Sequence, residues 1–122
     1  MKNDRPFLMS ERLKSFKYAF DGILAFIKQE HNARIHFAAT ILLIILSFCS
    51  PVSKMEIIAL VIVTAFVWIT EMINTAIEKI MDLISTEQRP EIKFIKDISA
   101  AAVLLAAIVA VITGCLVFIP KI

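Results

Sequence analysis

Apolar residues recur along this chain in four blocks. From Ser10 to Lys28, the residues Leu13, Phe16, Phe20, Ile23, Leu24 and Ile27 return at helical spacing, while Arg12, Lys14, Lys17, Asp21 and Lys28 fill much of the rest. The spacing predicts an amphipathic helix over 10–28 with a basic polar face, aromatic anchors and Ser10 as N-cap. A soluble helix shows the same pattern, but neighbouring membrane spans would place this one in the bilayer surface. The second block, 35–50, is almost wholly apolar and stops at Ser50-Pro51, where proline ends a helix. It is short for a hydrocarbon core of ~30 Å, so flanking residues or local thinning must help it across.

The third block starts near Glu56. Its purely apolar run, Ile57 to Ile69, is too short to span alone, so the helix must continue through Glu78 towards Asp82, over 56–83. A polar loop follows between Leu83 and Lys96, containing Ser85-Thr-Glu-Gln-Arg-Pro-Glu-Ile-Lys. The fourth block, 97–119, stops at Pro120. The predicted fold class is therefore all-α integral membrane. Three transmembrane helices and an N-terminal amphipathic surface helix form one domain across 1–122.

The third block carries a polar stripe. At about 100° per residue, Glu71, Asn74, Glu78 and Asp82 fall within an arc of roughly 80°. A carboxylate at membrane depth costs several kcal/mol unless it is paired, metal-bound or solvated in a cavity. Three carboxylates and an amide on one side are poor lipid-facing surface and good walls for a site that holds cations. Glu71 lies about 16 Å along the helix from Asp82, taking 1.5 Å per residue.

Composition agrees with a membrane protein: 59% of the 122 residues are hydrophobic and the mean hydropathy is +0.82. The charged residues gather at the block ends. Seven of the thirteen Lys and Arg precede the first span and four lie within Lys79–Lys96, while Lys54 and Lys121 stand alone on the other side. The positive-inside rule then puts the N-terminus and the 83–96 loop in the cytoplasm and the C-terminus outside. Met1-Lys-Asn-Asp-Arg-Pro is polar, with no cleavable leader pattern, so insertion through the internal helices is expected. The basic residues are accounted for as membrane flanks, and no nucleic-acid partner is expected. Cys49 and Cys115 read as small apolar residues near helix ends, not as a disulfide. His31 and His36, five apart, do not share a helical face and read as interfacial side chains. On the fourth block, Ala102, Ala106, Ala110 and Gly114 form a small-residue seam that lets helices approach closely, within or between protomers.

There is no glycine-rich phosphate loop. Gly22 and Gly114 are the only glycines, so phosphate must be held through a divalent cation and basic side chains. Glu30, just before the first span, and Glu78 can share Mg²⁺, which takes one or two carboxylates and leaves its other positions to phosphate and water. Lys96 can contact phosphate, and Asp97 can accept a hydrogen bond from a hydroxyl or amino group.

The run Glu71-x-x-Asn74-Thr-Ala-Ile-Glu78-x-x-x-Asp82, followed by Lys96-Asp97-x-Ser-Ala-Ala-Ala-Val, resembles the prokaryotic diacylglycerol kinase and undecaprenol kinase family of small integral-membrane enzymes. The likeness begins in the surface helix, passes through Glu30-His-Asn32-Ala-Arg34 and reaches the last span. It implies a homotrimer in the bacterial inner membrane that uses ATP and Mg²⁺ to phosphorylate a lipid hydroxyl, diacylglycerol or undecaprenol, at the cytoplasmic interface. By motif, the resemblance makes Glu71 the general base with Asn74 beside it, and Glu30 and Glu78 the metal carboxylates. It places Tyr18, Lys96, Asp97 and the Glu87-Gln88-Arg89 loop at the nucleotide, and Asn32, Arg34, Glu71 and Ser99 at the lipid. Two departures stand out. Glu11, beside Arg12, occupies the place of a family arginine, and Ser99-Ala100 stands where some members have Gly-Ser. Between the two lipids, the general texture leans towards undecaprenol.

Two other classes compete on residues alone. A proton or ion carrier would use Glu71 and Asp82, but the outer half of that helix offers only Thr64 as a polar group. A non-catalytic membrane scaffold would use the alanine seam and the basic helix, leaving Glu71, Asn74 and Glu78 without a purpose.

Overall fold

The computed structural model describes residues 6–122. Four long helices and a short 3-10 turn make up this region: α1 (Met9–Gln29), α2 (His31–Cys49), α3 (Lys54–Ile84), α4 (Pro90–Phe118) and the turn Ile119–Lys121. Three of them, α2, α3 and α4, are long and apolar enough to cross a membrane. α3 has 31 residues, or about 46 Å at 1.5 Å per residue, so it outreaches a ~30 Å hydrocarbon core.

Local chemistry sets most of the breaks. α1 and α2 are separated by one extended residue, Glu30 (φ −104°, ψ 123°), which is the C-cap of one helix and the N-cap of the next. Arg34 reaches back across this corner. Its Nε donates to the Ile27 carbonyl at 3.3 Å and its terminal nitrogen to that of Lys28, which satisfies carbonyls that the end of α1 leaves open. α2 stops at Ser50-Pro51. α3 opens with a capping box: the Glu56 N–H donates to Ser53 Oγ at 3.2 Å, and the Ser53 N–H to Glu56 Oε1 at 3.0 Å, pairing two orphan donors reciprocally.

Three helix starts differ from the sequence reading. α2 begins at His31, four residues before the expected 35. α1 takes Leu8, in extended conformation, as its N-cap without a side-chain bond, and Ser10 lies inside the helix. α4 begins at Pro90, so the expected polar loop up to Lys96 shrinks to 85–89. Proline at the first helical position has no N–H to lose and a preset φ, Glu91 favours the positive helix end, and Ile92 is buried.

α3 and α4 form the main packed pair, α2 lies more loosely on α3, and α1 leans on α2. Each end of the α3–α4 pair carries an ionic tie. Lys96 Nζ meets Asp82 Oδ1 at 2.7 Å near the connecting turn, and Lys121 Nζ meets Glu56 Oε2 at 2.7 Å at the far end. Ser53→Ala is expected to cost about 1 kcal/mol of stability, read as a lower thermal midpoint in detergent. An unchanged midpoint would mean that the Lys121–Glu56 tie alone holds the start of α3.

The outer surface is strongly apolar. Phe48, Val61, Phe66, Leu105, Val111 and Leu116 are among many large apolar residues that stand exposed. The accessible surface is 9614 Å², against about 6,600 Å² for a water-soluble monomer of this mass. Such a surface is at home against lipid tails or other helices. On α4, Ala106, Ala110 and Gly114 are half-buried while Ala102 is exposed. A Cβ added to Gly114 meets nothing within 4 Å, so no close approach inside this chain demands that glycine. Cys49 and Cys115 are free and exposed.

Candidate active site

Three polar side chains are buried among the described residues: Glu71 (4% exposed), Asn74 (7%) and Ser99 (7%). Glu71 and Asn74 come from the stripe on α3 that the sequence pattern singles out, and Ser99, on α4, is a position that the family resemblance implies. Hydrophobic burial would not select them, so the packing that holds them must satisfy their polar atoms in other ways.

Glu71 is held from α2. Asn32 Nδ2 donates to Glu71 Oε1 at 3.5 Å, and His36 Nε2 lies 3.5 Å from Glu71 Oε2. Asn32 and His36 are one helical turn apart, so α2 presents one nitrogen to each carboxylate oxygen. Sequence reasoning placed His36 at the interface and missed this contact. The i, i+4 spacing of Asn32 and His36 was the available signal; the five-residue spacing of His31 and His36 hid it. The floor of the same region is Trp68, whose Nε1 donates to Thr40 Oγ1 at 2.9 Å and whose ring meets Phe26 edge-on at 6.2 Å.

One turn along α3, Asn74 Nδ2 donates to Glu78 Oε1 at 3.4 Å. Asn74 Oδ1 is buried without a hydrogen-bond partner among the described residues. Glu30 approaches from the α1–α2 corner, with Oε1 3.7 Å from Lys79 Nζ, which brings it to the level of the residue after Glu78. No cluster of three or more His, Cys, Asp or Glu among the described residues is arranged to hold a metal ion. Glu30 and Glu78 offer hard carboxylate oxygens, and Asn74 Oδ1 is an amide oxygen that lacks a donor. That set fits Mg²⁺, which binds through one or two carboxylates and keeps water and phosphate for the rest.

A separate hollow of about 220 Å³ opens where α3 turns into α4. Its lining includes Asp82, Glu87, Gln88, Lys93, Lys96 and Asp97. The structure thus gathers Lys96, Asp97 and the 87–88 part of the loop around one space. Lys96 is tied to Asp82 and Asp97 to Lys93, and each keeps further donor or acceptor capacity for a ligand. Arg89 is the N-cap of α4 and pairs with Glu87 at 3.7 Å. Tyr18 stands exposed on α1, and no hydrogen bond joins it to this hollow. Arg34 is engaged with the α1 carbonyls as described. Arg12 stacks over the Phe7 ring at 5.1 Å.

With this geometry in view, likeness to known proteins becomes decisive. Residues 17–118 match the profile of the prokaryotic diacylglycerol kinase family. The chain belongs to that family. Every site residue from Tyr18 to Ser99 falls inside the match. Among curated relatives of the family, the undecaprenol kinase of Bacillus subtilis is 35% identical over 108 residues, covering 88% of each chain. A diacylglycerol kinase of Synechocystis is 35% identical over 109 residues, covering 88% of this chain and 62% of its own. The diacylglycerol kinase of Escherichia coli is 33% identical over 104 residues, covering 85% of each.

Proposed function

We propose that this protein is a lipid kinase that transfers the γ-phosphate of ATP to the hydroxyl of a membrane lipid, with undecaprenol as the first substrate to test and diacylglycerol as the second. Both relatives named for these lipids align over most of the chain. The observation that carries the reading is a buried carboxylate, Glu71, within a family of kinases. A carrier of ions or protons would need a continuous run of polar steps beyond Glu71; the neighbouring hollow has His36, Thr40, Thr64 and Trp68 among a lining otherwise made of Ala39, Leu43, Val67, Ala107, Ala110 and Val111, and carries no second carboxylate.

The site then works as follows. α1 lies in the membrane surface with Leu13, Phe16 and Phe20 in the bilayer, and the N-terminus and the 85–89 turn face the cytoplasm, as the lysine and arginine distribution directs. Nucleotide enters the hollow lined by Asp82, Lys96 and Asp97, and by family resemblance Arg89 and Tyr18 join in holding it. Glu30 and Glu78 are the residues that would hold Mg²⁺. When bound, the ion neutralises phosphate charge, which is most of what phosphoryl transfer asks of a protein. The lipid hydroxyl arrives beside Glu71, with Asn32, Arg34 and Ser99 at the lipid side and Asn74 Oδ1 free to accept a hydrogen bond. Glu71 takes the hydroxyl proton as the new O–P bond forms and the bond to the ADP oxygen breaks. The exposed apolar faces and the Ala106-Ala110-Gly114 stripe pack against other copies in a homotrimer.

The test is purified protein in bilayers of defined lipid with γ-labelled ATP and Mg²⁺. Label is expected in undecaprenyl phosphate. Label in phosphatidic acid instead would reassign the substrate, and no label in any lipid alcohol would overturn the reading.

A further inference from the structure

Glu71 poses a problem that a general-base assignment does not solve. A base must be ionised before it can accept a proton, and a carboxylate at membrane depth is costly without a partner. Every lysine and arginine seen to pair near the site is engaged elsewhere. Lys79 meets Glu30, Lys96 meets Asp82, Lys93 meets Asp97, Arg89 meets Glu87, and Arg34 is spent on the Ile27 and Lys28 carbonyls. Among the described residues, the one side chain in contact with Glu71 that can carry positive charge is His36, 3.5 Å from Oε2.

We propose that His36 is a positioning residue for Glu71. With Asn32 on the other oxygen, it holds the carboxylate in place and fixes the direction in which the free lone pair points. This rests on the reading of Glu71 as the base. The two 3.5 Å contacts are longer than the usual range of about 2.7–3.2 Å, and catalytic contacts of this kind shorten when substrate arrives. His36 is 22% exposed at its side chain and Glu71 5%, so the imidazole is the wetter partner.

The surroundings leave few rivals. From α1, Phe26 packs on Trp68, and Lys28 is exposed. On α2, His31 is exposed, and Glu30 is with Lys79. On α3, Glu78 is bonded to Asn74 and lies about 10 Å along the axis from Glu71. α4 faces the space beside His36 with Ala107, Ala110 and Val111, and its charged residues Lys96 and Asp97 are tied to Asp82 and Lys93.

The experiment compares the parent, His36→Ala, His36→Gln and the double variant His36→Ala/Glu71→Gln in the same bilayers. The double variant lacks the Glu71 carboxylate, so subtracting its infrared spectrum isolates the Glu71 bands without any turnover, and this arm stands even if the parent phosphorylates no lipid, a result that would count against the kinase reading alone. The antisymmetric carboxylate stretch is expected to shift and broaden in His36→Ala, where one partner of Oε2 is gone, and to return towards the parent's position in His36→Gln, which keeps an N–H donor. In the kinase assay, kcat is expected to fall on the order of tenfold in His36→Ala with KM for ATP unchanged, because a misdirected base is poorly placed at the hydroxyl. His36→Gln has similar size, should assemble if alanine does not, and should regain part of the lost kcat. A His36→Ala protein that folds with the parent's carboxylate bands, or variants with the parent's kcat, would overturn the proposal.

Discussion

Replacing Glu71 by Gln is expected to leave a folded, assembled protein whose turnover is down about 10²–10⁴-fold, the usual cost of losing a general base. The amide keeps the volume of the side chain, and its oxygen can still accept from Asn32 Nδ2. What it loses is the basic lone pair. A neutral side chain is also easier to bury than a carboxylate, so the thermal midpoint should hold or rise while activity falls. That opposition separates a base from a structural carboxylate, whose removal lowers both. Single-turnover label transfer and thermal unfolding in one detergent give the two readings. Parent-like turnover in the glutamine variant would end the assignment of Glu71 as base.

The second large effect concerns the carboxylates nearer the α1–α2 corner. Glu30→Gln and Glu78→Gln should each raise the Mg²⁺ concentration for half-maximal rate by on the order of tenfold or more, since even outer-shell partners of a metal are worth that much. If the two residues share one ion, their losses will not add, because the site fails once either ligand is gone. Glu78→Gln retains an acceptor for Asn74, and Glu30→Gln releases Lys79. The double variant therefore tests the shared ion and not these side contacts. A titration of rate against Mg²⁺ in the parent, both singles and the double decides it. Additive losses with an unchanged Mg²⁺ dependence would separate the two carboxylates into independent roles.

The stripe on α3 was legible in the sequence because two strong constraints met there. Helical geometry fixes the direction of Glu71, Asn74 and Glu78, and an apolar surround makes polar residues expensive. The structure buries Glu71 and Asn74 on that account. Pro51 and the Ser53–Glu56 spacing likewise mark a boundary through local chemistry that needs no distant partner. The start of α4 was harder to see, because charge around Arg89 and Glu91 resembles a loop while Pro90 opens a helix. Contacts between helices were hidden altogether. The tie of Lys96 to Asp82 depends on the α3–α4 register, and the approach of His36 to Glu71 depends on how α2 lies across α3. The folding back of Arg34 onto α1 depends on the sharpness of one corner. None of these follows from a pattern within a single segment.

That corner has a mechanical meaning. Glu30 alone joins α1 to α2, and only its φ and ψ are soft. If α1 rests on the bilayer as proposed, a tilt imposed on it by lipid crowding or curvature bears on those two torsions, and the carboxylate rides on the same Cα. Arg34 braces the joint by gripping the last carbonyls of α1. On that reading, the hinge of the surface helix and a side chain proposed to hold the phosphate-bound ion belong to one residue, and a change in the bilayer would reach the chemistry without any relay between them.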